Sequence, residues 1–313
     1  PEWMVNDVGS HSSPTVVDNL VYLSSGLGDL YCMSAVDGEK VWTVNLKSGF
    51  HGRLTRFGHS ESPLVYKELV YFTPGGADTN VVALNRFNGQ IQWISKGMGQ
   101  IPGYNSPNLI ELPERAVLLT FSAYAFMGLD ALTGHLLWAH EQTNTPLADR
   151  QPGIGDTHSN TAIFEDGFIY YVAGDGNGAV KLKLSPDGAA IEQVWNTQGI
   201  YNYMGGIVKL GNYIYSNGKN NLISINAMDG SIADSLKIGD GALISADGLL
   251  FYYNQRGEVI LVQCNEGKME QKALFKMKKG TKEHFAHPVI NKGVMYLRHG
   301  IVLQAYPIKS KSS

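Results

Sequence analysis

A turn dipeptide ending in glycine recurs six times along the chain, and tryptophan follows each of the first four within a few residues. Asp37-Gly38 precedes Trp42, Asn88-Gly89 precedes Trp93, Thr133-Gly134 precedes Trp138 and Asp187-Gly188 precedes Trp195. Asp229-Gly230 and Glu266-Gly267 continue the series without the indole, and Trp3 falls where a unit beginning before Pro1 would end. Successive turn glycines lie 51, 45, 54, 42 and 37 residues apart. That is the length of a four-stranded propeller blade and too long for a leucine-rich or hexapeptide solenoid.

The stretches between these turns are β-branched and aromatic runs bounded by Gly, Asn and Asp, such as Leu20 to Leu23, Leu69 to Phe72, Phe168 to Val172 and Tyr213 to Tyr215. Such runs form strands, and no segment of helical period competes with them. Each unit opens on a small residue and often proline: Ser13-Pro14, Ser62-Pro63, Ser106-Pro107, His287-Pro288. Tight turns between first and second strands are expected at Asp18-Asn19, Lys67-Glu68, Pro113-Glu114, Asp166-Gly167, Gly211-Asn212, Asp247-Gly248 and Asn291-Lys292. Seven blades follow. The expectation is one all-β propeller domain over residues 1–313, with residues 1–6 an outer strand. Phe285 to Lys309 supplies three strands, and Glu2-Trp3-Met4-Val5 is the expected fourth, which would hide the sheet edges.

Thirty-six glycines and 17% charged residues suit a turn-rich β protein, and a chain this long buries roughly three-quarters of its unfolded surface without a disulfide or metal. Cys32 and Cys264 fall on third strands of different blades, so they read as buried thiols. A net charge of −3 and a pI near 6.3 give no footprint for nucleic acid. The Lys276, Lys278, Lys279, Lys282 run reads as a solvated loop. No apolar run reaches the length of a membrane span.

In this topology the turns between first and second and between third and fourth strands share one face, and the remaining connections share the other. The long loops all lie on that second face: Lys47 to Ser60, Gly97 to Tyr104, Glu141 to His158, Thr197 to Met204 and Lys276 to Phe285. Variable loops on one end of a rigid scaffold are where binding resides. The residues just before each first strand are His11, His59 with Glu61, Tyr104 with Asn105, His158, Tyr203 with Met204, Asp240, and His284 with His287. A channel mouth rich in imidazole, carboxylate, amide and phenol binds a polar ligand or a partner. Arg298, expected on the last blade's hairpin turn, and Arg56 would add an anion-binding edge. The histidine spacing is not that of a zinc site. Asp175-Gly176-Asn177-Gly178 lacks the closing glutamate of a calcium loop and reads as a hairpin. No nucleophile elbow marks a hydrolase.

Gly128-Leu129-Asp130-Ala131-Leu132-Thr133-Gly134-His135-Leu136-Leu137-Trp138 resembles the repeat signature of pyrroloquinoline quinone-like propellers. Ala83-Leu84-Asn85 through Trp93 is a second copy, and Ser224-Ile225-Asn226 through Gly230 a weaker third. Glu61-Ser62-Pro63, Thr73-Pro74-Gly75-Gly76, His284-Phe285-Ala286-His287-Pro288 and Leu297-Arg298-His299-Gly300 look like the secreted bacterial, quinoprotein alcohol dehydrogenase-like subfamily. The resemblance implies a periplasmic or extracellular protein, and members often carry an eighth blade. It also implies two functions. One is a non-catalytic scaffold that binds a protein or small polar ligand through the loop face and channel mouth. The alternative is a quinone- or metal-dependent oxidoreductase, with pyrroloquinoline quinone and calcium as cofactors. Dehydrogenases of the superfamily hold the quinone between a channel tryptophan and a ring of two adjacent cysteines; here the tryptophans sit on outer strands and the cysteines are far apart.

Overall fold

The computed structural model describes residues 11–151 and 153–308. Its fold is an all-β propeller of seven antiparallel blades, six of four strands and one of three among the described residues. The described residues divide into two compact units, the first within residues 1–168 and 183–192, the second within residues 169–182 and 193–313.

The first unit holds three complete blades. Blade 1 is β1 to β4 (Thr15–Val17, Leu20–Ser24, Asp29–Ser34, Lys40–Asn45). Blade 2 is β5 to β8 (Leu64–Tyr66, Leu69–Phe72, Val81–Asn85, Ile91–Ser95), and blade 3 is β9 to β12 (Asn108–Glu111, Ala116–Phe121, Ala125–Asp130, Leu136–Glu141). Blade 4 has residues in both units: β13 to β16 (Ile163–Glu165, Phe168–Val172, Ala179–Leu184, Ile191–Thr197). The second unit continues with blade 5, β17 to β20 (Ile207–Leu210, Tyr213–Asn217, Leu222–Asn226, Ile232–Leu236). Blade 6 is β21 to β24 (Gly241–Ala246, Leu249–Asn254, Glu258–Asn265, Lys268–Lys276), and blade 7 is β25 to β27 (Val289–Asn291, Val294–His299, Val302–Pro307).

Middle strands are apolar without alternation because each sheet is covered on both faces. In blade 2, Val70, Phe72, Val82 and Leu84 pack with Tyr22, Cys32 and Trp42 of blade 1. Their neighbours Tyr71, Val81 and Ala83 pack with Leu118, Met127 and Leu129 of blade 3. The second unit repeats this, with Tyr252 facing the blade 5 core and Tyr253 the blade 7 core.

The tryptophan–glycine repeat is an inter-blade joint. The indole N–H of Trp42 donates to the Arg86 carbonyl at 3.0 Å, that of Trp93 to Ala131 at 3.1 Å, and that of Trp195 to Ala227 at 3.2 Å. Each acceptor follows the third strand of the next blade. The same three carbonyls receive Tyr22 Oη, Tyr71 Oη and Lys181 Nζ. Beyond them, the turn glycine lies under the indole: a Cβ on Gly134 would stand 2.4 Å from Trp93, and one on Gly89 2.9 Å from Trp42. The glycine therefore serves a close approach as well as its positive φ. The Asp130 carboxylate receives the Leu132 and Thr133 N–H groups and the Thr133 hydroxyl, which shapes the turn.

Three local expectations are corrected. Helix α1 (Leu46–Phe50) follows β4, started by Asn45, whose side chain accepts the Ser48 N–H, and stopped by His51 at φ 52°. At five residues it is too short to leave a periodic signal. A 3-10 turn likewise spans Leu147–Asp149. The first turn of blade 7 is at Lys292 and Gly293, one residue later than expected, because both take positive φ. The expected strand Glu2 to Val5, with Trp3, lies outside the described residues.

Candidate functional site

In the first unit, a chain of serines links the starts of successive blades. The Ser13 N–H donates to Ser62 Oγ at 2.9 Å, and the Ser62 N–H to Ser106 Oγ at 3.0 Å. Thr161 Oγ1 donates to the Ser106 carbonyl at 3.2 Å. The serine before each proline is thus a lateral connector, and the residue before it turns back into its own blade. There Ser12 Oγ donates to the Ser24 carbonyl, Glu61 Oε2 accepts the Thr73 N–H at 3.0 Å, and Asn105 Oδ1 accepts the Phe121 N–H at 3.2 Å.

Glu61 differs from its equivalents in being ionisable. It is 2% exposed, and its Oε2 also accepts the Thr73 hydroxyl. Its Oε1 has no hydrogen-bond partner among the described residues. Burial raises its pKa to about 8, outweighing the two bonds from Thr73. Two residues earlier, His59 is buried against Phe72, ring centroids 5.6 Å apart, and burial lowers its pKa to about 4. Near neutrality this pair is a carboxylic acid and a neutral imidazole.

His158, also buried, stacks on Phe121 at 4.6 Å, and its carbonyl accepts the Tyr104 N–H. Tyr104 packs on Phe57, and its phenol pKa is raised by burial. His11 and His51 are exposed. The first unit therefore gathers His59, Glu61, Tyr104, Asn105 and His158 around blade starts and leaves His11 at the surface.

In the second unit Tyr203 is exposed beside Tyr201. Asp240 is half-buried, with a carboxylate oxygen accepting the Asn220 N–H at 2.9 Å and a pKa raised by burial. His284 and His287 point to different neighbours: His284 meets Tyr253 and His299, whereas the His287 ring lies against Gly206. Arg298 is within β26 rather than on a hairpin turn, exposed, with Nε donating to the Gly300 carbonyl at 3.0 Å. Arg56 is exposed over Phe57. The Asp175 to Gly178 segment is a hairpin with positive φ at Asp175, Gly176 and Gly178.

The sequence pattern missed Thr73, Phe72, Phe121 and Tyr253, which set the state of the ring residues from neighbouring strands. A usable signal existed for Thr73, which lies opposite Ser62 as Phe121 lies opposite Ser106 when the repeats are superposed.

The loops of the first unit present Leu54, Phe57, Met98, Leu147 and Ile154 to solvent, Leu147 at 79% exposure. They are nevertheless pinned. The Arg53 N–H donates to the Pro74 carbonyl, Asn80 Nδ2 to the Gln100 carbonyl at 2.6 Å, and Arg150 forms a two-pronged pair with Glu141 at 2.8 and 2.9 Å. Rigid loops with apolar tips lose little entropy on docking.

The residues do not fit a quinone held over calcium. The described indoles are committed to blade joints, and Cys32 and Cys264 are free thiols in separate sheets. No group of three or more His, Cys, Asp or Glu among the described residues is placed to hold a metal ion.

The family model described as outer membrane protein assembly factor BamB matches residues 3–236. Quinoprotein ethanol dehydrogenase of Pseudomonas aeruginosa is 28% identical over 96 residues, 31% of this chain and 15% of that protein. Outer membrane protein assembly factor BamB of Salmonella typhimurium is 32% identical over 98 residues, 31% of this chain and 24% of that protein. The matched stretch thus spans less than a quarter of either relative. The crystal structure of BamB from Moraxella catarrhalis superposes with a TM-score of 0.68 at 12% identity, covering 92% of this chain and 82% of that one. Quinohemoprotein alcohol dehydrogenase ADHIIG from Pseudomonas putida HK5 gives 0.67 at 13% identity, covering 96% and 65%. At these identities the structural likeness is one of fold.

Proposed function

The chain belongs to the propeller family described as outer membrane protein assembly factor BamB, and from that premise we propose that it is a non-catalytic scaffold, a single propeller domain that docks a protein partner through its loop face. The observation that carries this reading is the set of large apolar side chains on pinned loops, Leu54, Phe57, Met98, Leu147 and Ile154. Apolar exposure gathered on one set of loops and rimmed by polar groups marks an interaction surface. By analogy with the assembly factor, the partner is a component of outer-membrane protein assembly, and the chain works in the periplasm or outside the cell. Of the residues proposed for the first unit's mouth, His59, Glu61, Asn105 and His158 are buried at the blade starts, Tyr104 is half-buried and His11 is exposed. Within the second unit taken by itself, Tyr203, Asp240, His284, His287 and Arg298 are the proposed ligand contacts.

A photo-crosslinking residue at Phe57, Met98 or Leu147 captures the partner in bacterial envelopes, whereas one at exposed Val36, on the opposite face, does not. Capture of an assembly component lost in a Leu147→Asp, Ile154→Asp double variant supports the docking face. Equal capture from Val36 refutes it. The dehydrogenase reading, favoured by the likeness to quinoprotein ethanol dehydrogenase, predicts quinone absorbance and alcohol-dependent dye reduction after incubation with pyrroloquinoline quinone and calcium. The scaffold reading predicts neither.

A further inference from the structure

Two imidazoles of the second unit are packed face to face at the base of the loop that follows β24. His284 and His299 stack with ring centroids 3.6 Å apart and planes inclined by 24°. His299, buried at the end of β26, sets Nδ1 2.9 Å from the Lys279 carbonyl oxygen and Nε2 2.7 Å from that of Lys282. A carbonyl oxygen only accepts, so both contacts are hydrogen bonds only if both ring nitrogens carry protons. His284 needs no second proton. Its Nδ1 meets the Tyr253 hydroxyl, which also lies 3.2 Å from Met277 Sδ, and since a phenol both donates and accepts, a neutral ring satisfies that contact in either tautomer.

The site is built for the two rings. Gly280 has φ +112°, and a Cβ there would come within 2.4 Å of His299 Nδ1. Gly257 has φ +78°, and a Cβ there would come within 2.6 Å of the His284 ring. Around them stand Tyr253 on β22, with Tyr306 of β27 acting on it, Lys276 at the end of β24, and Lys278, Lys279, Lys282 and Glu283 on the loop itself. Arg298, beside His299, turns its Nε to the Gly300 carbonyl. Burial first, then His299 and Lys276, hold His284 below the usual histidine range. A second proton on the stack would bring two cations into van der Waals contact.

We propose that the loop over residues 277–285 is a proton-dependent latch, closed by an imidazolium at His299 clasping the Lys279 and Lys282 carbonyls while neutral His284 stacks on its face. Loss of the proton turns a ring lone pair toward one carbonyl oxygen, and the loop lets go. Phe285, exposed at the loop's end, is released with it. The latch holds whether or not the loop face docks a partner.

Nitrogen NMR of the imidazoles in the intact protein tests it, with amide exchange across residues 279–283. At about pH 6 both His299 nitrogens are expected to read as protonated and His284 to carry one proton. Raising the pH to about 8.5 speeds amide exchange by roughly tenfold beyond the intrinsic base effect, the loss of one charge-assisted bond. His299→Phe keeps the stacked ring without donors, and its loop exchanges fast at both values. A singly protonated His299 beneath a protected loop at the lower pH overturns the latch, as does a His299→Phe loop protected like the parent. If that variant does not fold, the His299 nitrogen spectrum of the unaltered protein decides alone.

Discussion

Replacing Glu61 by glutamine removes a titration while keeping an oxygen to accept the Thr73 N–H and hydroxyl, as the Asn105 amide does for Phe121 in the next blade. The Glu61 pKa rises from 4.5 to about 8 on folding. Between those values the unfolded chain has released the proton and the folded chain still holds it. Stability contributed by the acid is therefore complete below the lower value and declines as pH climbs, at about 1.4 kcal/mol per unit. Over the whole window that is roughly 5 kcal/mol. His59 acts in the opposite sense: its pKa falls from 6.5 to about 4, so its contribution declines as pH drops through that range. The slopes cancel where the windows overlap. From about pH 6.5 to pH 8 His59 no longer offsets Glu61, whose titration should cost the parent protein about 2 kcal/mol. Urea unfolding midpoints at a series of pH values measure this. The parent midpoint should fall more steeply across that interval than that of Glu61→Gln, the difference being the Glu61 contribution. Parallel declines in both proteins, or a level parent, would refute the buried neutral acid.

Other expectations follow from the blade joints and the thiols. Trp93→Ala empties the space over Gly134 and should cost about 3–5 kcal/mol in chemical denaturation. Gly134→Ala should also destabilise, because its Cβ meets the Trp93 ring and its φ is +73°; unchanged stability in either variant would contradict the joint. Cys32 is buried, and burial raises its thiol pKa. It should resist thiol reagents in the folded protein and react once urea unfolds the chain, and rapid labelling of the native protein would count against the core assignment.

The seven blades could be read from the chain because their marks are local. Asp-Gly or Asn-Gly turns dictate a hairpin through the φ angles of two adjacent residues, and unbroken apolar strands announce sheets covered on both faces. Helix α1 escaped notice because one turn has no period. The candidate residues were located as blade starts, but their neighbours were not legible. Glu61 and Thr73 are twelve residues apart and meet only across a strand pair. The two glycines that admit His284 and His299 look like ordinary turn residues until the rings are seen against them.

Order along the chain alone determined the repeat and the blade count, since turn chemistry and unbroken apolar runs depend on neighbours in sequence. Which groups carry charge was decided by the tertiary structure. Protonation follows desolvation and the atoms within hydrogen-bond reach, and both are set by residues brought together from different strands. Glu61 as a neutral acid, His59 as a neutral base and His299 between two carbonyls are therefore properties of the folded blades.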